Sequence, residues 1–149
     1  MLTSAALAGA ASAVLVGSAL GAGAPAHVAA AGSKVQLHSG KPGRYLADGH
    51  GVTLYLFEKD RRNVSSCYGS CATLWPPYLT HGRPVAGKGV NRAKLGVTRR
   101  KGGASQVTYA GHPLYYYDAD RRAGQTFGQG LNQFGAKWFV VSAAGREIR

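Results

Sequence analysis

Hydrophobic and polar residues alternate along this chain in short runs, and glycine, proline, aspartate or asparagine interrupts each run. From about residue 34 onwards, this texture is typical of many short β-strands and not of helices. The pattern predicts strands over residues 34–38, 44–47, 52–57, 95–100, 105–109 and 137–142. We therefore predict a mainly β fold with little helix, built as one small domain.

One motif occurs twice, as an aromatic run followed by an aspartate and two arginines. The second copy lies sixty positions after the first, and the matching residues are Leu54, Tyr55, Phe57 and Asp60 against Leu114, Tyr115, Tyr117 and Asp120. A tryptophan closes each copy, Trp75 in the first and Trp138 in the second. Because internal repetition reports architecture, we predict two related β units, repeat 1 over about 48–80 and repeat 2 over about 95–142. A mobile basic connector is expected between them, over 81–94.

Side chains in the motif strands are expected to alternate between two apolar faces. Residues two apart in a strand share a face, so Tyr55 and Phe57 should point one way and Leu54 the other. Tyr115 and Tyr117 repeat this pattern in the second copy. Because both faces are apolar, we predict that both motif strands lie in the interior.

The motif aspartates fall just after the predicted strands. There a carboxylate can accept backbone N–H bonds and fix a turn, or accept a bond from a tyrosine hydroxyl. The sequence favours this architectural role, with the aromatic residues as core and the arginines as solvated rim. The alternative is an aromatic and acidic ligand site, and an enzyme acting through Asp60 and Asp120 would need both carboxylates in one cleft.

The N-terminus and the charge indicate export of a basic protein. Residues 1–26 are uncharged, small and apolar, and they end in Ala24-Pro25-Ala26, a form that signal peptidase cuts. We predict a signal peptide over 1–26, with cleavage up to about residue 31, and a secreted domain over 27–149 without a membrane span. A membrane anchor is the alternative interpretation of the same segment.

The chain carries 18 Lys and Arg against 6 Asp and Glu, a formal net charge of +12, all of it after residue 33. A surface of this charge attracts polyanions. Anionic polymers of the cell wall or envelope are the expected partners. Nucleic acid is not expected, because export removes it and no recognised nucleic-acid module is evident.

Cys67 and Cys71 carry the other candidate chemistry. Two cysteines in an exported chain favour a disulfide, and in a helical turn residues four apart lie on one face, near enough to bridge. Alternatively, two thiolates suit copper or zinc, with His50, His81 or His112 as a third ligand. Thiol redox exchange is a third alternative. The disulfide interpretation requires no cofactor.

The Trp75-Pro76-Pro77-Tyr78 segment follows the cysteines and is expected to be extended, because each proline fixes φ and lacks a backbone donor. The favoured interpretation is that this rigid segment covers the core and that the Trp75 ring fills the core beneath it. The alternative is an exposed aromatic shelf for glycan or peptide, formed by Trp75, Tyr78 and Trp138.

A family resemblance rests on four segments, Gly-x-x-Leu-Tyr-x-Phe-x-x-Asp at 51–60, Ser-Cys-Tyr-Gly-Ser-Cys-Ala-Thr-Leu-Trp-Pro-Pro at 66–77, Leu-Tyr-x-Tyr-x-x-Asp at 114–120 and Gly-x-x-Trp at 135–138. In this order they resemble the bacterial secreted repeat family with a Tyr-x-aromatic-x-x-Asp motif, whose members are often described as lipoproteins. The resemblance implies an extracytoplasmic protein of unassigned function and brings no catalytic residues. No cysteine precedes Cys67 to carry a lipid, so we expect a freely secreted or wall-associated protein.

The sequence therefore favours a non-enzymatic binding or structural protein of the cell envelope, since it contains no nucleophile elbow, phosphate loop or metalloprotease helix. The alternative function is metal or thiol redox chemistry at Cys67 and Cys71.

Overall fold

The computed structural model describes residues 32–149, and the predicted signal peptide lies outside the described residues. The strands are β1 (Lys34–Gly40), β2 (Gly43–Asp48), β3 (Tyr55–Phe57), β4 (Val85–Ala86), β5 (Leu95–Arg99), β6 (Ser105–Tyr109), β7 (His112–Pro113), β8 (Asn132–Gln133) and β9 (Ala136–Val140). Helical structure in this part of the chain comprises α1 (Ser70–Leu74) and a 3-10 turn (Arg92–Lys94). The prediction of a mainly β domain with little helix is confirmed. Neither helical segment has the length and hydropathy needed to cross a membrane.

The strands form three small sheets with orders β2-β1-β4, β3-β9-β8 and β5-β6-β7. Antiparallel hairpins dominate, and β4 is the exception because it runs parallel to β1. Residues 81–94, predicted as a mobile connector, contribute both β4 and the 3-10 turn. This segment therefore takes part in the first sheet instead of only linking the repeats.

The two motif copies meet at one antiparallel pair of residues. The Tyr55 N–H donates to the Tyr115 carbonyl at 2.9 Å, and the Tyr115 N–H donates back to the Tyr55 carbonyl at 3.0 Å. Around this pair, β3 lies against β9, which contains Trp138, and Tyr115 also bridges to Pro77 just after Trp75. Each motif thus lies beside the tryptophan segment of the other copy, a reciprocal arrangement of the kind that a twofold relation produces.

The alternation in the motifs separates two cores, as the strand periodicity predicts. The aliphatic core contains the motif leucines with residues from the other sheets: Val35, Leu46, Leu54, Leu56, Tyr78, Val107, Tyr109, Leu114, Phe139 and Val141. The aromatic core contains the motif rings, the tryptophans and both cysteines: Tyr45, Tyr55, Phe57, Cys67, Cys71, Trp75, Tyr115, Trp138 and Val140. The first motif strand, β3, lies between these cores with all three residues buried. The prediction of a second interior motif strand is wrong, because residues 114–117 form no strand: Tyr115 makes isolated bridges to Tyr55 and Pro77, and Tyr116 and Tyr117 are half-buried.

The β8–β9 hairpin turns through Phe134 and Gly135, whose φ angles are +58° and +90°. Two positive φ angles define a type I′ turn, which favours Asn-Gly because a bulky L-residue is strained there. Phe134 is also partly exposed, so packing of its ring offsets little of this strain.

We expect Phe134→Asn to raise the free energy of unfolding by about 1 kcal/mol, measured by chemical denaturation. The control is Phe127→Asn, at an exposed position without positive φ, which should bring no gain; equal effects of both substitutions would contradict the prediction.

Candidate functional site

The motif tyrosines and aspartates are bonded across the two repeats, not within them. The Tyr55 hydroxyl donates to Asp120 Oδ2 at 2.5 Å, and the Tyr115 hydroxyl donates to Asp60 Oδ2 at 2.6 Å. Each repeat therefore supplies the phenol that satisfies the carboxylate of the other. Two contacts of this kind, far apart in sequence, hold the two copies in one register.

The same carboxylates also organise the loops that follow them. Asp60 accepts hydrogen bonds from both the backbone N–H and the hydroxyl of Ser66, each at 2.7 Å. Asp120 accepts the Phe127 N–H at 2.9 Å. Both roles considered from the sequence, turn former and tyrosine acceptor, are thus filled by the same side chains.

Burial governs the protonation of these groups. It raises the pKa of Asp60 and of Asp120, and the hydrogen bonds from the tyrosine hydroxyls work in the opposite direction. Burial also raises the pKa of Tyr55 and of Tyr115, and the neighbouring carboxylate raises it further. The proton of each pair accordingly stays on the phenol at neutral pH, which leaves the phenol as donor and the carboxylate as acceptor.

A buried arginine, Arg100, extends this network. One of its nitrogens, Nη1, donates to Ser65 Oγ at 2.8 Å and to Gln106 Oε1 at 2.7 Å, and Nη2 donates to the Cys67 carbonyl at 2.6 Å. Ser65 Oγ lies 2.7 Å from the Tyr115 hydroxyl oxygen. Because that hydroxyl has one proton, which it gives to Asp60, it accepts from Ser65. A chain of donors thus runs from Arg100 through Ser65 and Tyr115 to Asp60.

Sequence reasoning missed Arg100, which it treated only as the last residue of a predicted strand. No local signal distinguishes it from the neighbouring Arg99, which is exposed. Its burial depends on the fold bringing the Cys67 carbonyl, 33 positions away, against the end of β5.

The aromatic rings of both repeats form one stacked column in the order Phe57, Trp138, Trp75, Tyr117. The ring centroids are 4.0, 3.9 and 4.4 Å apart, with interplanar angles of 6°, 6° and 31°. Trp75 and Trp138 are fully buried, and Tyr78 is 6% exposed. The interpretation of these three residues as an exposed aromatic shelf is therefore wrong, because neighbouring rings and strands cover them. They belong to the core instead.

Cys67 and Cys71 are joined in a disulfide, which confirms the favoured interpretation. Their Cα atoms are 5.3 Å apart, and both residues lie in the aromatic core.

In residues 32–149, no group of three or more His, Cys, Asp or Glu side chains is placed to hold a metal ion. His50 lies 3.8 Å from Asp48 with its side chain exposed, and burial lowers the pKa of His112. Metal binding or thiol exchange at the cysteines would first require reduction of the disulfide.

We expect the protein recovered without reductant or chelator to have a mass two hydrogens below that of the reduced chain, with no metal adduct. The measurement is native mass spectrometry, and the control is the same sample after reduction. A copper or zinc adduct that disappears in the double Cys67→Ser, Cys71→Ser variant would contradict this expectation. The same spectrum gives the cleavage site of the predicted signal peptide.

The surface of residues 32–149 carries an excess of positive charge without carboxylate partners. Among the 18 Lys and Arg, only Arg121 and Arg149 approach an Asp or Glu side chain within 4.0 Å in this part of the chain. Three of the six acidic side chains are the partners of these two arginines. The other three bind tyrosine hydroxyls: Asp60 and Asp120 accept from Tyr115 and Tyr55, and Asp48 accepts from Tyr116 at 2.9 Å. Five surface cavities of about 310 to 430 Å³ are each lined by lysine or arginine and by no acidic residue.

Two motif copies that complete each other's hydrogen bonds and aromatic stacking define the class of this protein, a two-repeat β domain in which both repeats contribute to each of the two cores. A family model described as a secreted repeat of unknown function matches residues 36–78 and 96–142, and so includes both copies. The chain belongs to this family of secreted repeats, as the motif resemblance implied. No curated protein and no solved structure shows significant similarity to it.

Proposed function

We propose that this secreted domain is a non-enzymatic protein of the cell envelope that binds anionic polymers through its basic surface. The observation that carries the proposal is the surplus of cationic side chains. Sixteen of the 18 Lys and Arg have no carboxylate within 4.0 Å among the described residues, and of these sixteen Arg100 alone is buried. A polyanion supplies the counter-charge that the protein itself lacks.

The non-enzymatic part of the proposal is supported by how the motif residues are used. Asp60 and Asp120 each accept bonds from a tyrosine of the opposite repeat and from their own loops. A general acid or base must reach a substrate proton, whereas these two carboxylates already accept hydrogen bonds from the protein itself. Of the rings considered for glycan binding, Trp75 and Trp138 are buried in the stacked column and Tyr78 is buried in the aliphatic core.

The composition of the surface favours phosphate-bearing polymers. Arginine presents a planar fork of donors that matches phosphate oxygens in pairs, and the cavities contain arginines such as Arg83, Arg92 and Arg62. Many weak contacts along a repeating polymer add up, although each exposed ion pair contributes only about 0 to 1 kcal/mol. Affinity should therefore depend on polymer length and on salt.

The test uses long-chain inorganic polyphosphate as the probe and uncharged dextran as the control, with binding measured by isothermal titration calorimetry. We expect binding of polyphosphate at low salt, no binding of dextran, and a loss of affinity of at least about tenfold between 50 and 500 mM salt. Absence of polyphosphate binding at low salt, or affinity that salt does not change, would contradict the proposal.

A further inference from the structure

One edge of the third sheet is open. In the sheet order β5-β6-β7, strand β5 is hydrogen-bonded to β6 on one side, and none of the strands in residues 32–149 pairs with its outer side. Such an edge presents a row of unpaired N–H and C=O groups and is a template for a further strand. This row of backbone groups lies on the basic surface of the domain.

The register identifies the backbone groups that point outwards. The Ala110 N–H donates to the Lys94 carbonyl and the Arg100 N–H donates to the Ala104 carbonyl, so the even-numbered residues of β5 face β6. Antiparallel ladders alternate in this way. The Leu95 carbonyl, both backbone groups of Val97 and the Arg99 N–H therefore face away from β6. Together they offer the spacing that an added strand needs.

The groove along this edge is basic and partly apolar. Arg83, Pro84 and Arg92 line a cavity of about 310 Å³ together with Leu95, Gly96 and Val97. A second cavity, which shares Leu95 and Gly96 with the first, is lined by Arg62 and Lys94. None of these four basic side chains approaches a carboxylate of the described residues within 4.0 Å.

Two valines border the groove. Val97 on β5 is 43% exposed, and Val85 on β4, an edge strand of the first sheet, is 44% exposed. Val85 lines a cavity that shares Arg83, Pro84 and Arg92 with the groove. Val97, exposed beside open backbone groups, suits contact with a side chain of an extended peptide, and Val85 adds apolar surface to the adjoining cavity.

We propose that β5 binds an acidic, extended segment of another secreted polypeptide, which adds to the sheet as a fourth strand. Backbone hydrogen bonds to Val97 and its neighbours would supply the alignment, and Arg83, Arg92, Arg62 and Lys94 select for acidic side chains. This site goes beyond the proposed polymer binding, because a polysaccharide or polyphosphate has no peptide groups to pair with β5.

Charge argues against a second copy of this chain as the occupant. Pairing β5 with another β5 would bring Arg99 and the groove arginines of one copy towards those of the other, and like charges placed opposite each other are destabilising. Basic residues at an edge protect it from pairing with itself. The same residues leave the edge open to a partner of opposite charge.

The probe for this proposal is a fluorescein-labelled ten-residue peptide that alternates Glu and Val. We expect it to bind the full secreted domain at low salt, measured by fluorescence anisotropy. A matched peptide, N-methylated at every second residue on its bonding edge, keeps the charge but cannot donate to β5. Its affinity should be lower by about tenfold or more.

Two pairs of variants separate the backbone contribution from the charge contribution. Val97→Pro removes an outward N–H that β6 does not use, at an edge position where proline is tolerated, and should weaken peptide binding about tenfold. Val97→Thr keeps the N–H and the β-branched shape, and should bind within about twofold of the native chain. The double variant Arg83→Gln, Arg92→Gln should lose about fivefold to tenfold in affinity. Lys59→Gln with Arg61→Gln removes equal charge from a separate cavity and should change affinity less than about twofold.

Three results would overturn the proposal. One is equal binding of the N-methylated and the unmodified peptide, because this would mean that charge alone is responsible. Another is polyphosphate binding without any peptide binding, which would leave the proposed polymer function intact. The third is a dimer of the native chain that Val97→Pro converts to a monomer in sedimentation velocity, since β5 would then be occupied by a second copy.

Discussion

Replacement of Trp138 by alanine is expected to lower the free energy of unfolding by about 3 to 5 kcal/mol. The indole is fully buried and stacks on Phe57 at one face and on Trp75 at the other, with ring centroids 4.0 and 3.9 Å away. Its Nε1 donates to the Gln133 carbonyl at 3.1 Å, and this bond is lost as well. The cavity left behind opens the middle of the column, where both neighbouring rings lose a contact surface.

The reciprocal packing predicts that Trp75→Ala has an effect of similar size. Trp75 occupies the equivalent place, between Trp138 and Tyr117, and its Nε1 also reaches Gln133, at 2.9 Å from Oε1. Because the two indoles contact each other, the double variant should lose less than the sum of the single losses, by about 0.5 to 1.5 kcal/mol.

Chemical denaturation monitored by circular dichroism measures these losses. The control is Phe127→Ala, an aromatic residue of the second repeat that is 60% exposed and should change stability by less than about 0.5 kcal/mol. A loss below about 1 kcal/mol for Trp138→Ala, or strictly additive effects of the two tryptophans, would show that the column does not hold the domain together.

The tyrosine and aspartate pairs are expected to be coupled across the repeats and not within them. Tyr55→Phe removes the donor to Asp120 while that carboxylate stays buried, and should cost about 1.5 to 3 kcal/mol, since a charged acceptor loses its partner. Tyr115→Phe should cost a similar amount, because each hydroxyl also accepts one bond that the substitution removes, from Ser65 for Tyr115 and from the Gly128 N–H for Tyr55.

Double-mutant cycles with Tyr→Phe and Asp→Ala measure the coupling directly. Tyr55 with Asp120, and Tyr115 with Asp60, should each couple by about 1 kcal/mol or more. The matched controls come from the same four residues: Tyr55 with Asp60, and Tyr115 with Asp120, belong to the same motif copies and should be additive within about 0.5 kcal/mol. Equal coupling within and across the copies would contradict the exchanged arrangement.

This exchange has a consequence for the unit of folding. Each copy lacks the hydroxyl that satisfies its own carboxylate and the tryptophan that covers its own aromatic residue. A carboxylate that loses one of its donors in a partly buried site is costly, as is an uncovered ring. The two repeats are therefore halves of one folding unit, although the sequence presents them as two similar modules.

Several features of the fold could be predicted from local signals alone. The period-two pattern of Leu54, Tyr55, Leu56 and Phe57 assigns the leucines to one core and the rings to the other, because side chains alternate in any strand. The glycine pair at 102–103 places the β5–β6 hairpin for a similar reason, since positive φ angles suit glycine. The four-residue spacing of Cys67 and Cys71, read with the signs of export, predicts their disulfide.

The partners of the motif residues could not be predicted in this way. The sequence repeat implies that Asp60 and Asp120 have equivalent surroundings, but it does not identify which tyrosine donates to which aspartate. The same limit applies to Trp75 and Trp138. A buried position in the core and an exposed aromatic shelf would both use these residue types in this order, so the sequence could not distinguish between them. Likewise, nothing in the sequence around Arg100 predicts that its side chain is buried.

The sequence by itself determined the repeat, the β class, the two faces of the first motif strand and the basic charge, and it favoured the disulfide, because each of these depends on neighbours within a few positions or on composition. Only the tertiary structure decided that the motifs exchange their tyrosines and tryptophans, that Arg100 is buried beside Ser65, and that β5 keeps an open basic edge. The first two depend on contacts between residues 33 to 81 positions apart, whose free energy is set by packing and desolvation of both partners together. The third depends on how the strands are ordered in the sheet, which no short stretch of sequence specifies.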